Sequence, residues 1–153
     1  MRCRFLPVVL LASVAFVSGC QPAPDFHTDT AGAHSWEQLQ GNYVVVNYFA
    51  EWCAPCLREL PELNEFHEEY GDKVKLFGVS FDGLDNAALA KLREDYQIQF
   101  PLIQNEPLPA LPFPQPNMLP ATYVITPEGE VKGPLLGEQT ISSLAAATKL
   151  EHE

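Results

Sequence analysis

Trp52-Cys53-Ala54-Pro55-Cys56 sets two thiols across two intervening residues. Three chemistries fit that spacing: disulfide exchange, half of a zinc site, or a small structural staple. Zinc usually takes four ligands. The chain has no second C-x-x-C and no closely spaced histidine pair, only His67 in the expected folded region and His152 in the tail. A staple closing so short a loop would constrain the unfolded chain little. For exchange the placement is favourable, because an apolar run ends just before the pair and a helical pattern begins at it. Cys53 would then sit at a helix start, where unpaired N–H groups and the positive end of the dipole favour thiolate over thiol. Bringing a thiol from about pKa 8.5 to about 7 represents roughly 2 kcal/mol of differential stabilisation. Cys53 is the expected attacking sulfur. Cys56, one turn later and facing inward, is placed to resolve a mixed disulfide.

The elements that must hold this pair follow from periodicity. Tyr43 to Ala50 is a nearly continuous β-branched and aromatic run, the pattern of a central strand buried on both faces. From Pro55 to Tyr70, Leu57, Leu60, Leu63, Phe66 and Tyr70 recur at three-to-four spacing and Gly71 follows as a C-cap, which predicts a helix that Pro61 should bend or deprive of a hydrogen bond. Val74 to Phe81 reads as a second strand, and Asp85 as the cap of a helix facing inward through Leu89, Leu92 and Tyr96. Strand, helix, strand, helix implies parallel pairing with helices covering the sheet. Residues 121–126 and 130–136 flank Pro127-Glu128-Gly129 as an antiparallel hairpin, and a last helix from about Ile141 to Leu150, capped by Thr140, turns Ile141, Leu144 and Ala145 inward. Six of the fourteen residues from Pro107 to Pro120 are proline, so that stretch must be a loop. It is either a rigid spacer or a rim beside the site that selects partners.

The chain of 153 residues, 46% apolar, suits one domain and a leader. Its net charge of -11 opposes attraction to phosphate backbones, so nucleic acid is not an expected partner. Arg2 and Arg4, the apolar run Phe5 to Val17 and the small Ser18-Gly19 read as a targeting segment over residues 1–19. That run is too short for a spanning helix, which needs about 20 residues. Val17-Ser18-Gly19-Cys20 resembles the lipobox of bacterial lipoproteins, which implies cleavage before Cys20 and its lipidation. Each buried acyl methylene contributes roughly 0.8 kcal/mol to membrane attachment. With Cys3 removed and Cys20 acylated, Cys53 and Cys56 are the only pair left to form a disulfide. Residues 20–34, rich in Pro, Ala, Gly and Thr, read as a flexible tether in which His27 and His34 are solvated, and residues 35–150 as the folded domain.

The stretch from Val46 to Cys56 resembles the active-site region of thioredoxin-fold proteins, particularly the TlpA/ResA-like periplasmic branch. Pro61 falls where that family has its helix-kinking proline, Met118 to Ile125 resembles the segment bearing the family's cis-proline, and Gly129 and Gly137 fit the closing hairpin and final turn. The resemblance implies an α/β thioredoxin fold, a central mixed sheet flanked by helices. It also implies a cis Pro120 standing against the cysteine pair, with the Leu119 backbone pairing to an extended substrate and Trp52 covering the site. Asn47 stands where cytoplasmic thioredoxins carry a buried acid that moves protons to and from the second cysteine. Asparagine cannot titrate, so Glu51 is the candidate substitute. The segment before Tyr43 is short, so the extra N-terminal hairpin common in the branch is expected to be missing or reduced.

These readings predict a membrane-anchored, extracytoplasmic thiol–disulfide oxidoreductase that needs no cofactor beyond its redox-active disulfide. Ala54-Pro55 places no cation between the cysteines, and Glu51, Glu59 and Glu62, opposed only by Arg58, would disfavour a thiolate if near. Reduction of partner disulfides is therefore the expected direction, with recharging by a membrane electron donor bearing its own C-x-x-C domain. The rival expectation is a carrier that holds copper or an apocytochrome through the thiols without turnover.

Overall fold

The computed structural model describes residues 23–150. The leader, Cys20 and His152 lie outside the described residues, and no helix among the described residues is long and apolar enough to cross a membrane. Seven strands form one mixed sheet: β1 (Phe26–Thr28), β2 (Gly32–His34), β3 (Tyr43–Phe49), β4 (Val74–Ser80), β5 (Leu102–Ile103), β6 (Ala121–Ile125) and β7 (Val131–Leu136). Across the sheet they run β2-β1-β5-β4-β3-β6-β7. β3 lies parallel to β4 and antiparallel to β6, and β4 lies parallel to β5. The helices are α1 (Trp36–Leu39), α2 (Ala54–Tyr70), α3 (Asn86–Asp95) and α4 (Ile141–Ala147).

β3 is buried along almost its whole length, as its unbroken apolar run requires. Val45 and Phe49 face one core, where Leu60, Leu63 and Phe66 of α2 meet Leu89 and Leu92 of α3 and Leu144 of α4. Val44, Val46 and Tyr48 face the other. Among the described residues that second face carries no long helix, contrary to the expectation of helical cover. It is closed by Phe26 of β1, Phe113 of the proline-rich loop and, at its margin, Trp36 and Leu39 of α1.

The local signals act where expected. The Asp85 carboxylate accepts from the Ala88 N–H at 2.8 Å, and Thr140 and Ser143 form a reciprocal capping box. α4 ends at Ala147, three residues short of the predicted Leu150. Pro61 sits inside α2 without ending it, at the cost of the N–H that the Leu57 carbonyl would have received. Residues 107–120 contain neither helix nor strand.

The tether is corrected. Residues 26–34 form the antiparallel β1–β2 hairpin, so the N-terminal hairpin is reduced but present and the domain begins before residue 35. Phe26 is buried against Trp36 and Phe77. His34 stacks on Phe26 at 5.1 Å, and burial, with His27 adding, pushes its pKa down. The hairpin is held by tertiary partners: the Asp29 carboxylate receives the Leu102 N–H at 2.8 Å and pairs with Arg93, whose guanidinium also donates to the Phe100 carbonyl at 2.7 Å. Two three-residue strands are too short to show a period of their own, so their composition alone reads as a linker. β5 and α1 escaped for the same reason.

Phe26→Ala should therefore cost about 3 kcal/mol in urea unfolding, the range for an emptied aromatic core position, whereas a tether would lose nothing measurable.

Candidate active site

The site stands where β3 runs out and α2 begins. Cys53 is the N-cap of α2, and its sulfur accepts from the Cys56 N–H at 3.3 Å. The two sulfurs are bonded to each other. Cys53 keeps 6% of its surface and Cys56 none, so an incoming sulfur can reach only Cys53. The Cys56 N–H and the positive end of the α2 dipole thus face that sulfur, which favours negative charge on it when the bond opens.

Register brings the distant proline to the pair. Tyr48 pairs with Ala121, so Pro120 follows on opposite Phe49, on the approach to Cys53. Pro120 is buried, its bond to Leu119 is cis, and its carbonyl accepts from the Gly137 N–H at 2.9 Å. The Leu119 backbone makes no hydrogen bond to any described residue, which leaves it open to an extended chain. Trp52 stands exposed beside the pair, its indole N–H donating to the Asp82 carboxylate at 3.0 and 3.2 Å and its ring edge-on to Phe81.

Glu51 is not brought into this group. It is exposed and accepts from the Tyr96 hydroxyl at 3.2 Å, out on the α3 side. Glu62 accepts from the Ile141 N–H at the start of α4, and Arg58 pairs with Glu138 at the surface. The acid that reaches the site is Glu59, one turn beyond Cys56 on the same face of α2 and 1% exposed. Asn47 donates its amide to one carboxylate oxygen at 2.8 Å, and the Gln139 backbone N–H donates to the other at 2.8 Å. Asn47 also donates to the Thr122 hydroxyl at 3.1 Å. Burial pushes Glu59 up to about 7, against the pull of these two hydrogen bonds. The strand position thus supplies an amide that holds an acid presented by the helix. The only sequence signal for Glu59 was its phase, three residues after Cys56 and one before the inward Leu60.

A disulfide at a helix start of which only Cys53 keeps any surface, a buried cis-proline in register with the end of β3 and a buried acid one turn beyond Cys56, all on a mixed sheet, define a thiol–disulfide oxidoreductase of thioredoxin fold. The chain belongs to the AhpC/TSA family, whose profile matches residues 20–133. It is 32% identical over 121 residues to the thiol-disulfide oxidoreductase ResA of Geobacillus kaustophilus, covering 77% of this chain and 69% of that one. It is 30% identical over 107 residues to the ResA of Oceanobacillus iheyensis, where it spans 69% of this chain and 55% of the relative. The fold is shared with a thiol:disulfide interchange protein from Chlorobium tepidum (TM-score 0.64, 20% identity, 87% of this chain and 98% of that one). It is also shared with a DsbF homologue from Corynebacterium diphtheriae (TM-score 0.60, 25% identity, 81% of each).

The Glu59 proton gives a signed prediction. The folded state binds it more tightly than the unfolded chain, so its contribution to stability is fully present below about pH 4.5 and is lost as pH rises through about 7. Relative to Glu59→Gln, the oxidised protein should lose roughly 3 kcal/mol between those limits, read from urea unfolding of both proteins across the range.

Proposed function

We infer that this oxidoreductase reduces disulfides of extracytoplasmic proteins, with Cys53 as nucleophile, Cys56 as resolving thiol and Glu59 as their proton-handling group. The observation that carries the reading is the asymmetry of the pair: one sulfur reachable at a helix start, the other sealed above a buried carboxylate that titrates near neutrality.

In the reduced protein, the Cys53 thiolate attacks a substrate disulfide. A mixed disulfide forms, and one substrate sulfur leaves as a thiolate that takes up a proton. Cys56 then gives up its proton, for which the ionised Glu59 carboxylate is the nearby acceptor, and attacks the Cys53 sulfur. The second substrate thiol is released and the Cys53–Cys56 disulfide is restored. Two electrons pass to the substrate, and a dithiol partner must return them. The charge on Glu59 also bears on direction. An ionised carboxylate one turn from Cys56 disfavours a thiolate there, which favours the disulfide form and makes the reduced protein the stronger donor. Trp52, the open Leu119 backbone and Pro120 form the surface on which the substrate chain lies. Location and recharging rest on the sequence: the leader and lipobox-like Cys20 support attachment to a membrane outside the cytoplasm, and a donor with its own C-x-x-C domain fits a reductant working there.

Cys53→Ser should abolish insulin reduction, and Cys56→Ser should accumulate mixed disulfides; full activity of Cys53→Ser would overturn the reading. Stoichiometric copper retained through dialysis, with no exchange, would point instead to a carrier. In cells, acid quenching and mass-tagged alkylation should find the pair mostly as thiols. For Glu59→Gln, the rate of resolution from the mixed disulfide should lose its dependence on a group titrating near pH 7, measured by stopped flow on the prereduced protein.

A further inference from the structure

The proline-rich loop builds a second feature beside the disulfide. Between it and the end of β4 lies a cavity of about 260 Å³ walled by Tyr48, Phe81, Phe113 and Leu111, with Leu108 at its lip. Cavities of about 150 Å³ admit benzene, so this one has room for a substituted aromatic ring but not for a length of chain. It neighbours the site through Phe81, which is both a wall of the cavity and the ring against which Trp52 stands, with centroids 6.0 Å apart. Leu108 is 81% exposed, an apolar side chain left in water at the mouth.

The cavity is held in shape without an occupant. Phe113 stacks on Tyr123 at 4.2 Å, and the Tyr123 hydroxyl donates to the Pro114 carbonyl at 2.9 Å. The Gln115 amide donates to the Phe81 carbonyl at 2.9 Å, and the Asn105 amide to the Gly83 carbonyl at 3.2 Å. The ring-constrained prolines leave the loop few conformations to lose on binding. Tyr48 is the exception to this saturation. It is 5% exposed, it lines the cavity, and its hydroxyl makes no hydrogen bond to any described residue. Water reaches that oxygen through the cavity, and a ligand whose polar tip replaces the water gains a direct hydrogen bond there.

The geometry points to this cavity as a specificity subsite that takes an aromatic side chain, tyrosine before phenylalanine, from the substrate polypeptide next to the cysteine that bonds Cys53. The proposal rests on the exchange reaction inferred above and names the substrate feature that reaction selects. The aromatic walls and the exposed Leu108 receive the ring, and the Tyr48 hydroxyl meets the polar tip. Asp82 and Glu106, adjacent in sequence to the lining residues Phe81 and Asn105, disfavour an acidic occupant.

The test uses a series of disulfide-bridged peptides of equal charge, differing only in Tyr, Phe or Ala beside the cysteine, reacted with the prereduced protein in single turnover. The tyrosine peptide should react about tenfold faster than the alanine peptide, as partial burial of a ring would give, and about fivefold faster than the phenylalanine peptide, as one neutral hydrogen bond would give. Tyr48→Phe should bring the Tyr-to-Phe ratio to about one. Leu108→Glu, at an exposed position that folding tolerates, should lower the aromatic-to-alanine ratio. Equal rates for all three peptides, with exchange intact, would overturn the subsite and leave the oxidoreductase reading standing. No exchange with any peptide would overturn both.

Discussion

A carboxylate with almost no solvent access is held under the inner sulfur by two donors from opposite ends of the chain. Asn47 reaches it from the middle of β3, and the Gln139 backbone reaches it from the segment that leads into α4. Glu59 could not remain buried without them, since an unpaired carboxylate in such a place would cost several kcal/mol. The same two bonds fix where α2 lies on the sheet and bring the start of α4 against it. They therefore determine the height at which the first turn of α2 presents Cys53. The chemistry and the packing share one hydrogen-bonded group, and its tendency to take up a proton near neutrality is what connects them.

The second face of the sheet is organised by a different economy. Among the described residues the four-residue α1 is the one helix on this face, and the apolar side chains of β3, β4 and β6 are covered by single rings from short segments: Phe26 from the hairpin, Phe113 from the proline-rich loop and Trp36 of α1 at their margin. The segments lock one another. Trp36 donates through its backbone to the Asp25 carboxylate at 2.8 Å and through its indole to the Ala110 carbonyl at 2.7 Å, and the Ala110 N–H donates to the Asp25 carbonyl at 2.7 Å. Irregular backbone needs such explicit partners because it has no ladder of its own. The loop is consequently both a cover for the core and a wall beside the disulfide, which joins the two roles that its composition left as alternatives.

Much of the site was legible in the chain because it is written locally. The cysteine pair lies between an apolar run and a helical period, and Asp85 and Thr140 cap helices through groups three residues away. Pro120 was reachable only through its resemblance to a family segment. Other features were not legible. Phe26 and Thr28 carry a strand too short for alternation to register, and what stabilises it is Phe77, Leu102 and Arg93, all far along the chain. Glu51, Glu59 and Glu62 are the same residue type within twelve positions, and nothing local separates a solvated carboxylate from a buried one.

The sequence by itself determined the four longer strands and their order along the chain, the helix that starts at Cys53 and which two sulfurs pair, since each follows from spacing and capping within a few residues. Only the tertiary structure decided which acid is buried one turn from them, that the supposed tether is a strand pair, and that the proline-rich loop encloses a cavity. The physical reason is common to all three. Burial, and with it the protonation of a carboxylate or the value of a three-residue strand, is a property of what surrounds a group, and here those surroundings come from residues that meet only when the chain has folded.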